Sequence, residues 1–333
     1  MRLAFFFDFM YPSNKTTNPP SSLAIWTAMI SVYLIWGSTY LGIRIGIETI
    51  PPFMMAATRF LIAGGILYAV RSARGDTKAS RSEWRSALLI GILLLVGGNG
   101  GVVWAEQYVA SGIAALLVGT APLWMALIDS LHPGGRKPNR WAILGIFLGF
   151  VGITVLIGPP QVTGHGEEID IIGASVLIFA TLSWAIGSLY SRQAKLPSSP
   201  LLGTAMEMLA GGGALLLLSF LTGEFSRLTL AHISVRSLGG MAYLIVFGSW
   251  IGLTSYTWLL RVAPTPLVFT YAYVNPVVAV LLGHLLASEP LTVHILIAAT
   301  IVIGSVALTT VTQQASLRKK SKIEPGPDGG KTP

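Results

Sequence analysis

Ten stretches of about 20 predominantly apolar residues follow one another along this 333-residue chain, joined by connections of about 4–15 residues. They fall near 23–43, 52–70, 86–105, 111–131, 141–158, 171–191, 200–221, 238–260, 266–287 and 292–312. Runs of this length match the roughly 30 Å hydrocarbon core of a bilayer when wound into helices. Lipid offers the backbone no hydrogen-bond partner, so each run has to satisfy its own N–H and C=O groups as a helix. Prolines cluster at the boundaries, at Pro51, Pro52, Pro159, Pro160, Pro197, Pro200, Pro264 and Pro290, where a missing N–H is harmless. Composition agrees: 53% of residues are hydrophobic and 11% charged, against about 25% charged in soluble domains. With no cysteine, disulfides, thiolate metal sites and cysteine nucleophiles are excluded. The expected fold is an all-α polytopic membrane protein of ten transmembrane helices.

Net charge is +8, which in a soluble chain would raise the question of nucleic acid. The position of the charges answers it. With a cytoplasmic N-terminus, the inner connections and termini hold 18 of the 22 Lys and Arg, the outer side only Arg44, Arg227 and Arg236, and Arg59 lies within a span. This asymmetry predicts both termini on the cytoplasmic side; the basic surplus then needs no nucleic-acid partner. Outer loops carry acids instead, notably Glu167, Glu168 and Asp170. Residues 1–22 read as a disordered leader: Phe5-Phe6-Phe7 is too short for a signal-peptide core, and the Asn14-Lys15-Thr16 sequon falls on the cytoplasmic side. Residues 313–333 read as a basic cytoplasmic tail.

The two halves repeat. Gly37-Ser-Thr-Tyr40 matches Gly187-Ser-Leu-Tyr190, and Arg59 to Gly65 matches Glu207 to Gly213. A shift of 154 carries Gly98 to Gly252, Trp104 to Trp258, Ser111 to Thr265 and Pro122 to Pro276. Each half, 23–158 and 171–312, contains five spans. An odd number makes the second half enter the membrane from the opposite side, giving two inverted five-helix repeats. That architecture characterises secondary transporters, which hold substrate near the midplane between repeats and alternate access by rocking.

Several motifs resemble the EamA branch of the drug/metabolite transporter superfamily. They are Trp36-Gly-Ser-Thr-Tyr40, Pro51-Pro-Phe-Met-Met-Ala-Ala-Thr-Arg-Phe60, Gly98-Asn-Gly-Gly-Val-Val-Trp-Ala-Glu106, Ser183 to Tyr190, Glu207-Met-Leu and Tyr271 to Gly283. The resemblance runs over about 23–312. It implies a bacterial inner-membrane protein that exports small metabolites or drugs. Two departures stand out: Ala110 where the family usually has proline, and Ser288 where it usually has glycine before Glu289.

Ionisable groups inside spans are costly and so are functional candidates. Arg59 and Glu207 each lie seven residues into a span, from opposite sides, leaving a depth difference of roughly 10 Å at 1.5 Å per residue. Arg59 can dock an anionic substrate group, and Glu207 can carry a coupling proton; both can equally anchor helices. A second constellation expected to line the substrate path is Tyr40, Asn99, Trp104, Trp184, Tyr190, Trp258, Tyr271 and Asn275, with Trp36 and Tyr273 nearby. Tyr271 and Asn275, four apart, share a helical face, and Pro276 frees a carbonyl for a cavity wall. Aromatic faces beside a few polar groups suit amino-acid-like or amphipathic compounds. Glu106 and His284 read as solvated rim residues.

Gly97–Gly101, Gly145–Gly149 and Gly248–Gly252 are GxxxG pairs, a spacing that serves internal helix packing or a homodimer alike. Gly97-Gly-Asn-Gly-Gly101 lies in an apolar helix without a Gly-Lys-Ser/Thr, so neither phosphate cradling nor ATP is expected. No cofactor is implied. The rival class is an intramembrane lipid-modifying enzyme or protease, which needs a cluster of His, Asp, Ser or metal ligands at one depth. His132, His165, His232, His284 and His294 lie at loops or span ends without ligand spacing, so no enzyme and no metal site is expected. Proton antiport and facilitated diffusion remain open alternatives for the energetics.

Overall fold

Helix starts in this chain are written as caps. Ser80-Arg-Ser-Glu83 forms a capping box: the Ser80 hydroxyl accepts from the Glu83 N–H at 3.3 Å, and the Ser80 N–H donates to the Glu83 carboxylate at 2.6 Å. Such caps contribute about 1 kcal/mol each. Asp170, Ser199 and Ser234 accept from the N–H groups of Gly173, Leu202 and Ser237 in the same manner. Pro52 and Pro200 occupy first-turn positions.

The computed structural model describes residues 20–76, 78–131, 137–157 and 169–323, with side chains through Thr312 except at 230, 265 and 266. The helices are α1 (Ser22–Gly46), α2 (Pro52–Ala73), α3 (Arg81–Ala105), α4 (Ser111–Leu131), α5 (Arg140–Ile157), α6 (Ile171–Ser191), α7 (Pro200–Leu221), α8 (Val235–Val262), α9 (Tyr271–Ala287) and α10 (Val293–Ile323). Among the described residues there is no strand, and nine helices are long and apolar enough to cross a membrane. The ninth expected span is shorter than predicted. The run 266–287 divides into a turn of helix, Thr265–Val268, and the 17-residue α9.

That division has a counterpart and a cause. Helix α4 is interrupted at Gly119 and Thr120. The Thr120 hydroxyl donates to the Leu117 carbonyl at 2.6 Å, and at the second break the Thr270 hydroxyl donates to the Leu267 carbonyl at 2.6 Å. A side-chain hydroxyl that takes over a backbone acceptor loosens the helix locally. The two halves share a second irregularity, π-helical winding over Gly91–Gly100 in α3 and Leu244–Leu253 in α8. These stretches sit at almost the 154-residue repeat offset.

Helix neighbours follow the repeat as well. Helix α2 packs on α7, α5 on α10 and α4 on α9. The pair α3–α6 is matched by α8–α1, α4–α6 by α9–α1, and α3–α7 by α8–α2. Adding five to each helix number therefore returns the same packing scheme, as a two-fold relation between halves requires. The core lies where the halves meet, with Phe60, Leu94, Leu95, Leu177 and Tyr256 fully buried.

The GxxxG pairs are consumed inside the chain. A Cβ at Gly145 would stand 2.9 Å from the Ser305 carbonyl, and one at Gly149 3.0 Å from the Ser305 hydroxyl, so this pair seats α5 on α10. Gly97 and Gly101 meet Ser183 and Ala180 of α6, while Gly248 and Gly252 meet Arg59 and Trp36. Ser288, the family departure, ends α9 in a left-handed conformation (φ 53°, ψ 30°), the one non-glycine residue with positive φ among the described residues. Glycine adopts that conformation without steric cost.

The expected tail is partly helix. The backbone of α10 continues from Val311 to Ile323 without a break, because Gln313-Gln-Ala-Ser-Leu-Arg-Lys-Lys320 contains good helix formers and neither Gly nor Pro. Leader residues 1–19, the loop acids Glu167 and Glu168, His132, His165 and residues 324–333 lie outside the described residues.

Candidate functional site

A cavity lies between the halves and is lined by α1, α2, α3, α4, α6, α8 and α9. Five of the predicted residues reach it: Tyr40, Arg59, Asn99, Trp184 and Tyr271. Its walls are aromatic. Trp36 meets Trp184 edge-on at 5.4 Å between ring centroids and Tyr271 edge-on at 5.5 Å, while Tyr256 lies 4.8 Å from Trp36. Edge-to-face contacts of this kind contribute about 0.5–1.5 kcal/mol each beyond burial. The rings are pinned: the Trp184 indole N–H donates to the Tyr256 hydroxyl at 3.2 Å, and that hydroxyl shares a 2.6 Å hydrogen bond with Ser188.

Two polar atoms at this cavity have opposite character and no partner. Arg59 is 3% exposed. Its Nε donates to the Ser249 hydroxyl at 2.8 Å, and its guanidinium lies 4.6 Å from the Phe60 ring centre, but Nη1 is buried without a hydrogen bond. The Asn99 Oδ1 is likewise buried and unsatisfied. Among the described residues Arg59 makes no ion pair; the bridges present join Arg71 to Asp76 and Arg236 to Glu48. An orphaned donor costs about 1–3 kcal/mol, more when charged. A donor and an acceptor left open at one cavity can anchor the polar groups of a small molecule.

The remaining predicted path residues lie elsewhere. Asn275 does share a face with Tyr271, but its amide nitrogen, oriented toward them, donates to the carbonyls of Tyr33 at 3.0 Å and Tyr271 at 3.2 Å. It locks α9 to α1 and does not line the cavity. Pro276 packs against Gly119 of α4, where a Cβ would lie 2.9 Å from its ring. Trp104 leans on Tyr108 at 5.0 Å, Trp258 is buried in the core, and Tyr190 is 36% exposed on the surface. Glu207 is buried at the α3–α7 crossing, its main-chain oxygen beside Gly91 and its Oε2 without a hydrogen bond. It neither lines the cavity nor pairs with Arg59.

Glu106 corrects the rim reading. It is fully buried, and both carboxylate oxygens lack a partner. Arg44 donates to its main-chain carbonyl, and Glu289 lies within electrostatic reach. His284 is exposed, as expected, with Nδ1 3.0 Å from the Glu289 carbonyl oxygen. Tyr256 is the ring position that sequence reasoning missed. It lacks an aromatic partner at the repeat position, Val102, whereas Trp36 is already grouped with the expected path residues.

The model of a family described as the EamA-like transporter family matches residues 23–158 and 171–311. An Escherichia coli K12 protein, the uncharacterized inner membrane transporter YedA, is 40% identical over 290 residues, covering 87% of this chain and 91% of that one. An uncharacterized transporter of Bacillus subtilis, YoaV, is 22% identical, covering 86% of this chain and 97% of that one. A WAT1-related chloroplastic protein of Arabidopsis thaliana is 24% identical, covering 85% and 68%. A solved crystal structure 20% identical in sequence superimposes with a TM-score of 0.61, covering 87% of this chain and 98% of that one, and it shares the fold.

Proposed function

The chain belongs to the EamA-like transporter family and is a membrane transporter, and on that footing we propose that it is a secondary exporter of small amphipathic molecules carrying an anionic group. Substrate occupies the cavity between the halves and reaches either side in turn as the repeats rock. The observation that carries this reading is the pairing of an unneutralised guanidinium, Arg59, with aromatic walls in one cavity. A carboxylate on Arg59 Nη1 makes a charge-assisted hydrogen bond. A donor on the same molecule can satisfy Asn99, and a planar apolar body fits against Trp36, Trp184 and Tyr271. A cationic dye meets an unscreened like charge there and is disfavoured.

The pseudo-two-fold packing of α1–α5 on α6–α10 supports inverted repeats, with α9 and its preceding turn serving as the ninth span. The basic residues at the ends of α2, α3, α6 and α8 favour an orientation with both termini cytoplasmic. The relative YedA, named an inner membrane transporter, favours the same membrane for this chain. Tyr40, Asn99, Trp184 and Tyr271 form the path with Arg59. Trp104, Tyr190, Trp258, Asn275 and Glu207 act on packing around it.

The test is uptake into proteoliposomes of phenylalanine, phenylpyruvate, a neutral aromatic amide and a cationic dye, each with and without a pH gradient. Phenylalanine or phenylpyruvate should move at least about tenfold faster than the cationic dye, a difference of about 1.4 kcal/mol. Preferential movement of the dye would overturn the reading.

A further inference from the structure

One helical turn beyond the cavity, a second polar cluster joins the halves. Val102 lines the cavity, and its carbonyl accepts from the N–H of Glu106 at 3.0 Å. Glu106 closes the end of α3 with no solvent exposure and two unpartnered carboxylate oxygens. Around it stand Arg44 from α1 and Glu289 from the connection between α9 and α10. Tyr40, a cavity-lining residue of α1, also lies within electrostatic reach of Glu106. Asp170 at the start of α6, Tyr108 on the connection after α3, and His284 on α9 are the other titratable groups around this end.

The two carboxylates are not equivalent. Glu289 accepts from the N–H groups of Ser111 at 2.8 Å and Gly112 at 3.0 Å. It therefore caps the first turn of α4, where the helix dipole and the orphan N–H groups favour a negative charge. Glu106 has no comparable donor. Arg44 directs a guanidinium N–H to the Glu106 carbonyl oxygen and not to its carboxylate. One cation thus serves two carboxylates, leaving one negative charge in surplus, and of the two carboxylates it is Glu106 that is closed to water, Glu289 being partly exposed. A carboxylate buried without donors beside a like charge favours taking up a proton, and the one so placed is Glu106.

We propose that Glu106 is a proton-binding site whose protonation state sets the side to which the cavity opens, an inference that rests on the transporter reading above. When the end of the bundle is sealed, Glu106 holds a proton as the neutral acid. When the halves part, Glu289 leaves with the second half, water reaches Glu106, and the proton passes from its carboxyl oxygen to water. No bond other than that O–H breaks. Because Arg44 and Glu106 belong to the first half and Glu289 to the second, the motion that opens the cavity also changes the affinity for the proton. A ligand shifts a conformational equilibrium by the ratio of its affinities for the two states, and here the ligand is the proton.

The chain contains no cysteine, so Val118→Cys, placed in the cavity wall, gives a unique reporter. The full-length variant in proteoliposomes would be labelled from outside with a charged, membrane-impermeant thiol reagent between about pH 5 and 9, the range in which buried carboxyls titrate. Rates are divided by those of glutathione to remove the thiol's own ionisation. The ratio should change about tenfold across a single titration, as a tenfold difference in proton affinity between the two states requires. It should be flat with Glu106→Gln and keep its titration with Glu207→Gln. A flat ratio in the Val118→Cys protein itself overturns the proposal and decides the matter even where Glu106→Gln does not fold. A titration that survives Glu106→Gln, or a rate that follows sodium against choline and not pH, overturns it as well. Absence of labelling from either side at every pH would instead sink the transporter reading of the cavity.

Discussion

Arg59→Met is expected to lower transport of carboxylate substrates by about 100-fold while making the protein more stable to heat. The two effects share one cause. Arg59 is buried with Nη1 unsatisfied, so the resting protein carries the desolvation cost of a charge that a single hydrogen bond to Ser249 only partly offsets. Replacing buried ionic groups by apolar residues of similar volume is often stabilising, by about 1–4 kcal/mol. Methionine is unbranched and fills irregular space, and its neighbours here, Phe60, Gly248 and the methyl of Thr39, are compatible with it. Removing one partner of a buried, hydrogen-bonded charge pair costs about 2–5 kcal/mol of binding, and 100-fold corresponds to about 2.7 kcal/mol. Thermal unfolding in detergent and uptake by the same preparation check both halves. A lower melting temperature together with normal uptake would make Arg59 a structural anchor. Arg59→Lys should fall between, since it keeps the charge and loses the planar fork.

The largest effect on folding is expected at Gly91. Helices α3 and α7 cross there backbone on backbone: a Cβ at Gly91 would lie 2.8 Å from the Glu207 carbonyl oxygen and 2.8 Å from the Gly211 nitrogen. Gly211 is equally closed, with the Gly91 carbonyl oxygen 2.9 Å from its own Cβ position. No flexible side chain is available to yield, so Gly91→Val has to push the helices apart. Overpacking of this kind costs about 1–3 kcal/mol and more where the backbone itself is the obstacle. The expected outcome is a loss of at least about 3 kcal/mol, read as a lower melting temperature and reduced yield of folded protein. Gly65→Val is the control: nothing lies within 4 Å of a Cβ at that position, so it should be nearly neutral. Equal behaviour of the two variants would remove the close crossing from the account.

The spans, the charge asymmetry and the repeat were readable because lipid imposes length and polarity on each helix one segment at a time. Arg59 and Tyr271 were readable for the same reason, as polar groups inside apolar runs. Asn275 was misplaced because spacing assigns a face and not a partner, and the Tyr33 carbonyl of α1 comes from a different segment. Apart from Asn99, the walls from α3 and α8 were obscured by π-helical winding over Gly91–Gly100 and Leu244–Leu253, which shifts side chains off the 3.6-residue period used to read them. Glu106 was the clearest miss. Its position at a helix end suggested water, but the Arg44 and Glu289 that close over it lie 62 residues before and 183 residues after it. Burial produced by long-range packing leaves no local mark.

The most direct measurement of the central claim, that one cavity between the halves opens to each side in turn, is two-sided labelling of Val118→Cys. Right-side-out and inside-out vesicles would be treated with the impermeant thiol reagent, with and without a transported compound from the phenylalanine and phenylpyruvate panel. The lipid-facing Ile66→Cys, on a residue 47% exposed on the helix surface, serves as control. Alternating access predicts labelling of Val118→Cys from both sides, protection by the transported compound on both, and no protection at Ile66→Cys. Labelling from one side only, unchanged by any transported compound, would contradict it.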